Sequence, residues 1–240
     1  MRSNVRNLAL TLLIPVAWGC GPGASSSPSG EARSAPPPAA PAATRPAPAG
    51  EGRPLVVFLG DSLTAGLGLD EAQAYPALVA QELQEQDRPI RVLNAGVSGD
   101  TTAGGLSRLD WLLKQKPDIL VVGLGANDAL RGQSVAQIEK NLREIVRRSK
   151  EAGARVLLLG MQIPPNYGGD YARDYAALYP RIADEMDVAL VPFLLEGVGG
   201  VPELNLEDGI HPNAEGQERV AENVAPRLAD LLREEKVASE

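Results

Sequence analysis

The sequence predicts an α/β protein in which helices cover both faces of a parallel β-sheet. Short apolar runs alternate along the chain with longer amphipathic stretches, and most of the runs end in glycine or proline. Strands that are buried on both faces have such continuous apolar sequences, whereas strands with one wet face alternate in polarity. In sheets of this kind, functional sites form at the carboxyl ends of the strands.

Five apolar runs predict the strands. They are 54–60 (PLVVFLG), 90–96 (IRVLNAG), 118–125 (DILVVGLG), 154–160 (ARVLLLG) and 188–193 (VALVPF). Helical patterns follow these runs, at about 73–86, 102–115, 134–152, 170–186 and 213–235.

The composition is that of a soluble globular protein. The chain has 44% hydrophobic and 22% charged residues, enough apolar side chains to bury a core. Its net charge of −8 and the lack of a basic stripe interleaved with aromatic residues exclude nucleic acid as an expected partner.

The N-terminus has the pattern of an export signal. Arg2 and Arg6 precede the apolar run 8–18, which is too short to span a membrane and has the length of a signal-peptide core. We therefore expect residues 1–20 to be a signal peptide.

Cys20 is the only cysteine, so it cannot form a disulfide within the chain. Its position after Gly19 resembles a bacterial lipobox, although Ala17 stands where leucine is usual. That resemblance implies lipidation of Cys20 and an exported lipoprotein, periplasmic or associated with the outer membrane, which touches the membrane through its lipid alone. The alternative is an ordinary secretory signal with an incidental cysteine.

Residues 21–53 are rich in proline, alanine, serine and glycine and have almost no large apolar side chain. Such a segment cannot bury enough surface to offset its ordering entropy, so we predict a disordered linker. Residues 54–240 then form one domain.

The sequence GDSL, at residues 60–63, follows the first predicted strand. Ser62 on a tight strand-to-helix turn would expose its hydroxyl and could act as a nucleophile. The alternative is that Ser62 or Asp61 only caps the following turn.

The next two strand ends carry hydrogen-bond donors. Gly96 and Gly99 lie in the second loop, where a glycine either lets a backbone N–H approach a ligand or only permits a turn. Asn127 in the third loop, GLGAND, can donate through its amide, while Asp128 could cap a helix or brace the loop. A dinucleotide site is excluded, because the glycine motif would need glycine at position 128.

His211 is the only histidine of the chain and lies in DGIHPN, residues 208–213. A nucleophilic serine needs a base, and the base needs an acceptor that fixes its tautomer. Ser62, His211 and Asp208 supply these three roles. A zinc site of ordinary His and Cys composition is not available, so we expect neither metal nor cofactor.

Four blocks in order, GDSL (60–63), SGDT (98–101), GAND (125–128) and DGIHP (208–212), resemble those of the SGNH or GDSL hydrolases. The resemblance is greatest to the bacterial thioesterase/lysophospholipase/arylesterase subgroup and covers nearly all of residues 54–235.

This resemblance implies a three-layer α/β/α flavodoxin-like fold with a five-stranded parallel sheet. It also implies a catalytic triad of Ser62, Asp208 and His211, and an oxyanion hole of Ser62, Gly99 and Asn127, with Gly96 as the rival glycine.

The expected activity is hydrolysis of a small acyl ester or thioester, including lysophospholipids, by a monomer. The segment 161–171 resembles the mobile substrate-side loop of the subgroup, or is simply a surface loop rich in proline and glycine. A carbohydrate O-acetyl esterase with the same site and a tethered non-catalytic binding protein are the alternatives.

Overall fold

The computed structural model describes residues 52–238. The predicted signal peptide with Cys20, and all of the predicted linker except residues 52 and 53, lie outside the described residues. None of the helices within the described part has the length and apolar character needed to cross a membrane.

Five parallel strands form one sheet in the order β2-β1-β3-β4-β5. They are β1 (Leu55–Gly60), β2 (Arg91–Gly96), β3 (Ile119–Gly123), β4 (Arg155–Leu159) and β5 (Ala189–Val191). This is the strand order of flavodoxin-like sheets, in which β2 is added on one side of β1 and the later strands are added on the other side. The predicted fold class is therefore confirmed, and each of the five apolar runs contains a strand.

Seven α-helices connect and follow the strands within the described residues. They are α1 (Ser62–Ala65), α2 (Tyr75–Glu85), α3 (Thr102–Leu113), α4 (Ala126–Leu130), α5 (Val135–Glu151), α6 (Gly169–Met186) and α7 (Ala214–Ala238). Short 3₁₀ segments precede α2 and α6 and lie before α7. The five longer helices were predicted within about three residues, and the short α1 and α4 were not.

The helices form two layers around the sheet. On one side α2 packs against α7, and on the other α3, α5 and α6 lie side by side with α5 in the middle. Every residue of β1 and β3 is buried. Both faces of the central strands are therefore covered, as their uninterrupted apolar sequences predict.

The first three strands of the chain, β1, β2 and β3, end at the same level of the sheet. Gly60 pairs with Gly96 on one side and with Gly123 on the other. The segments that follow β1, β2 and β3 consequently leave the sheet along one edge. Those segments contain Ser62, Gly99 and Asn127.

Candidate active site

The nucleophile candidate lies at the start of a very short helix. Asp61 caps α1, because its Oδ1 accepts the Leu63 N–H at 3.0 Å. A side chain at Gly60 would begin 1.9 Å from Thr64 Oγ1, so only glycine permits this tight turn. The sequence allowed either Asp61 or Ser62 to be the cap, and the structure shows that it is Asp61. The hydroxyl of Ser62 is therefore left for another partner.

That partner is His211. Its Nε2 lies 2.8 Å from Ser62 Oγ, and its Nδ1 lies 2.6 Å from Asp208 Oδ2. Asp208 Oδ1 also accepts the N–H groups of Ile210 and His211, each at 3.0 Å. Gly209 has a φ of +72°, which allows the chain to turn back sharply at this point. One carboxylate therefore holds both the ring and the backbone of the histidine.

The electrostatics fix the roles of the two ring nitrogens. The Ile210 N–H and the contacts with His211 lower the pKa of Asp208 to about 2, so this carboxyl group is charged at neutral pH. A charged carboxylate next to Nδ1 favours the tautomer with the proton on Nδ1. The lone pair of Nε2 then faces the Ser62 hydroxyl and can accept its proton.

The segment after β2 presents two glycines in very different situations. The N–H of Gly96 donates to Asn94 Oδ1 at 2.9 Å, and a side chain at Gly96 would begin 2.3 Å from the Ala65 nitrogen. Gly99 has a φ of +77°, and its carbonyl accepts from Arg131 at 2.9 Å. Among the described residues, the Gly99 N–H has no hydrogen-bond partner. The geometry thus favours Gly99 over Gly96 as a donor to a ligand.

Asn127 follows β3 on the short helix α4. Its Nδ2 donates to Asp61 Oδ2 at 3.2 Å, so its side chain is turned toward the turn that carries Ser62. The next residue, Asp128, accepts from the Thr102 N–H at 2.8 Å and from Thr102 Oγ1 at 2.6 Å. The sequence allowed Asp128 either to cap a helix or to brace the loop. The structure shows that it braces the loop, because it connects α4 to the first residue of α3.

Asp61 is a buried ionisable group beside the proposed nucleophile. Its residue is 2% exposed, and burial raises the pKa of its carboxyl group to about 6. The Leu63 N–H, the positive charge of a protonated His211 and the Asn127 amide oppose this shift, while the charge of Asp100 adds to it. The site therefore contains two carboxylates, Asp61 and Asp208, and Asp61 is much less exposed to water than Asp208.

Two further side chains hold the site together, and the sequence analysis missed both. Arg108 on α3 donates to the carbonyls of Ala95 at 2.7 Å and Gly60 at 3.1 Å, and to Asp100 Oδ2 at 2.8 Å. It therefore joins the ends of β1 and β2. A lone arginine in an amphipathic helix gives no signal of this role in the sequence.

The second of these residues is Gln217, which is 1% exposed. Its Oε1 accepts the Tyr75 N–H at 2.8 Å, and its Nε2 donates to the Leu63 carbonyl at 3.2 Å. Gln217 lies on α7, shortly after His211. It thus connects the helix that follows the histidine to the turn that carries Ser62.

Helix α7 follows the segment that carries His211. It begins at Ala214, one residue after the start at about 213 that the sequence predicts. Asn213 caps the helix, because its Oδ1 accepts the Gly216 N–H at 3.0 Å. Pro212 lies before the helix and forms an isolated antiparallel bridge with Asn205. The asparagine side chain thereby satisfies an N–H of the first helical turn that would otherwise be unpaired.

Large apolar side chains are exposed on four of the segments that follow the strands. Leu67 follows α1, Leu130 ends α4, Tyr167 lies in the segment 161–171 and Ile210 precedes His211, with exposures between 39% and 55%. Among the described residues, no group of His, Cys, Asp and Glu side chains is arranged to hold a metal ion. The arrangement is suited to acyl transfer through a serine.

Comparison with known proteins points the same way. The model of the GDSL-like Lipase/Acylhydrolase family matches residues 58–219. "Esterase TesA" of Pseudomonas aeruginosa is 47% identical over 178 residues, which are 74% of this chain and 89% of that protein. "Thioesterase 1/protease 1/lysophospholipase L1" of Escherichia coli K12 is 42% identical, over 74% of this chain and 84% of that protein. A crystal structure of TesA superposes with a TM-score of 0.71 at 47% identity, over 74% of this chain and 99% of that chain.

Proposed function

The chain belongs to the GDSL-like lipase/acylhydrolase family and is a carboxylic ester hydrolase, and from this premise we propose that it hydrolyses acyl esters and thioesters through Ser62, His211 and Asp208. The observation that carries the proposal is the continuous hydrogen-bonded path from Ser62 Oγ through the His211 ring to Asp208. Each of the three groups has the contact that its role requires.

In the acylation step, Ser62 Oγ attacks the carbonyl carbon while His211 Nε2 accepts the hydroxyl proton. Asp208 stabilises the resulting imidazolium and remains ionised. The carbonyl oxygen becomes an oxyanion, for which the N–H groups of Ser62 and Gly99 and the Asn127 amide are the donors. The Ser62 N–H is suited to this because the first residues of a helix have no intrahelical acceptor.

The intermediate then collapses, and His211 Nε2 returns its proton to the departing alkoxide or thiolate. A water molecule enters, Nε2 takes one of its protons, and the hydroxide attacks the acyl carbon. Collapse of the second intermediate returns the proton to Ser62 Oγ and releases the carboxylic acid. Every proton moves through the one histidine, and no metal or cofactor is required.

The exposed apolar side chains favour a substrate with an acyl chain. Leu67, Leu130, Tyr167 and Ile210 would contact its carbon chain while the carbonyl lies at Ser62. Lysophospholipids and acyl thioesters have such chains, as do aryl esters of fatty acids. A carbohydrate O-acetyl esterase would have little use for this apolar surface.

The test of the mechanism is Ser62→Ala in the full chain, assayed with nitrophenyl butyrate and a lysophospholipid. We expect a loss in kcat on the order of 10⁴-fold or more. Ser107→Ala is the matched control, because Ser107 is an exposed serine on α3 whose hydroxyl donates only to the Gly104 carbonyl. Undiminished turnover in the Ser62 variant would refute the mechanism.

A panel of nitrophenyl esters from acetyl to palmitoyl, together with acetylated xylan, tests the substrate class. We expect kcat/KM to rise from acetyl to medium-length chains, because each buried methylene adds to binding. A preference for the acetylated carbohydrate would favour the O-acetyl esterase. Absence of turnover with every substrate would favour a non-catalytic binding protein.

We also propose that the protein is exported and tethered through a lipid on Cys20, with residues 21–53 as the spacer. The support comes from the sequence alone, namely the apolar run 8–18 followed by a single cysteine. Mass spectrometry of the mature N-terminus tests it: a diacylglyceryl-modified Cys20 is the expected result, and a free N-terminus downstream of Cys20 would contradict it.

A further inference from the structure

Asp61 makes more hydrogen bonds than helix capping requires. Its Oδ1 accepts the Leu63 N–H, which completes the cap, and its Oδ2 accepts Asn127 Nδ2. Serine, threonine or asparagine can cap a helix as well as aspartate and would bring no charge into this buried position. The second carboxylate oxygen is therefore what distinguishes aspartate from the other capping residues here.

The side-chain amide of Asn127 has two ends of similar shape and opposite polarity. Its Nδ2 has two N–H groups, whereas its Oδ1 can only accept. An ionised Asp61 also only accepts, so the contact at Oδ2 selects the orientation with Nδ2 next to it. Only one N–H of Asn127 is used in this way, and the other is left for a second acceptor.

We propose that Asp61 is a positioning residue that fixes the orientation of the Asn127 amide, so that Nδ2 and not Oδ1 serves the oxyanion. The proposal rests on the oxyanion hole proposed above and adds to it the group that orients its side-chain donor. A donor stabilises an oxyanion most when it is already oriented before the charge develops. Because Asp61 precedes Ser62, one residue links the nucleophile turn to the donor on α4.

The environment of Asp61 supports this role. Burial raises the pKa of its carboxyl group to about 6, so the ionised form is held at an energetic cost. A neutral capping residue would avoid that cost. The Leu63 N–H offsets the largest part of that cost, the charge of a protonated His211 offsets less, and the Asn127 amide offsets the least. The contact with Asn127 is the one that the second carboxylate oxygen makes, and it joins two segments that are 66 residues apart in the chain.

Asp61→Asn is the discriminating variant, since it keeps one oxygen for the Leu63 N–H and places an NH₂ group opposite Asn127. That NH₂ group selects Oδ1 of Asn127, which reverses the amide. We expect kcat to fall by about 10- to 100-fold, below the loss of about 10²–10³ for a whole oxyanion donor, while KM changes little. The double variant with Asn127→Ala should be no slower than Asn127→Ala alone.

Asp118→Asn is the matched control, because Asp118 also accepts a backbone N–H, that of Leu55, at the opposite end of β1. It should retain the parent kcat. The side-chain amide resonances of Asn127, identified by their loss in Asn127→Ala, should shift in Asp61→Asn and stay unchanged in Asp118→Asn. If Asp61→Asn does not fold, Asp61→Ser keeps the cap, lacks the second acceptor and gives the same kinetic test.

Two results would overturn the inference. One is a parent-like kcat in Asp61→Asn, and the other is a pair of losses that multiply in the double variant together with Asn127 resonances that do not shift in the single variant Asp61→Asn. The second result would mean that Asp61 acts only as a helix cap. Ser62→Ala separates this failure from failure of the proposed function, because an active Ser62 variant would refute the serine mechanism, whatever Asp61 does.

Discussion

His211 Nε2 lies 2.8 Å from Ser62 Oγ, although 149 residues separate the two in the chain. The strand edge makes this contact possible, because Ser62 leaves the sheet at the end of β1 and the segment with His211 returns to the same edge before α7. Both residues are thus held by the sheet and by the helices next to it.

Replacing the base should abolish proton transfer with little effect on substrate binding. His211→Gln keeps a polar side chain but cannot accept the Ser62 proton, so we expect kcat to fall by about 10²–10⁴-fold with a nearly unchanged KM. Steady-state kinetics with nitrophenyl butyrate at neutral pH measure both values. A variant with the parent kcat would show that another group is the base.

Asp208 makes a pH-dependent contribution to stability that can be isolated. Its pKa falls from an ordinary 3.8 to about 2 in the folded protein, so the charged form is stabilised by folding. This contribution is present in full above the unfolded pKa and is lost as the pH falls through the folded pKa. The difference in Tm between the parent and Asp208→Asn should therefore be constant near neutral pH and shrink between about pH 4 and pH 2.

The same substitution should slow catalysis without removing it. Asparagine at position 208 can still contact His211 but no longer favours its imidazolium form or its tautomer. We expect a loss in kcat of about 10²–10⁴-fold. Equal rates for Asp208→Asn and the parent would exclude this carboxylate as the partner of His211. A Tm difference that stays constant down to the lowest pH would contradict the assigned shift in pKa.

The elements of the fold that were predictable from the sequence are those with a local signature. Continuous apolar runs identified the strands because β1 and β3 are buried on both faces, and long periodic stretches identified the long helices. The helices α1 and α4 have four and five residues, too few to show a period of 3.6. They follow instead from the caps and glycines at the strand ends.

Motifs identified the candidate site residues, but the sequence did not reveal what holds those residues in place. The contact of Asp61 with Asn127 joins positions 66 residues apart, and that of Gln217 with Leu63 joins positions 154 apart. Neither pair has a spacing that local rules can detect. Such contacts depend on which strand ends become neighbours, and the strand order determines this.

The two glycines after β2 can be separated by alanine substitution. Gly96→Ala would bring a methyl group to 2.3 Å from the Ala65 nitrogen, so we expect lower stability, by about 1–3 kcal/mol. At Gly99 the nearest atom would be Arg131 Nη2 at 3.6 Å, so the only strain comes from a φ of +77°. Gly99→Ala should fold with a loss of about 1–2 kcal/mol. Alanine keeps the backbone N–H but disfavours a φ of +77°, so this N–H should be reoriented and substrate should be turned over at least several-fold more slowly.

Thermal unfolding and kcat, measured on both variants, separate the two roles. If Gly99 is the donor, Gly99→Ala should have the lower kcat of the two variants. Gly96→Ala should have the lower Tm. A parent-like kcat in Gly99→Ala, together with a slow but fully stable Gly96→Ala, would move the donor to Gly96.

Gln217 should stabilise the fold and hold Ser62 at hydrogen-bonding distance from His211. Gln217→Leu has a similar size but leaves the Tyr75 N–H and the Leu63 carbonyl without their partner in a buried site. An unsatisfied buried group costs about 1–3 kcal/mol, so we expect the free energy of unfolding to fall by about 2–4 kcal/mol. Because Leu63 follows Ser62, the folded variant should also have a lower kcat at temperatures well below its Tm.

Gln81→Leu is the matched control, since Gln81 is an exposed glutamine on α2 whose amide contacts only Glu85. Its effect on stability should stay within about 0.5 kcal/mol, as for most surface positions. Urea unfolding gives the two free energies, and kinetics well below the lower Tm give the two rates. Equal stabilities for the two variants would mean that the Gln217 contacts contribute nothing measurable, and a parent-like kcat in a destabilised Gln217→Leu would limit its role to the fold.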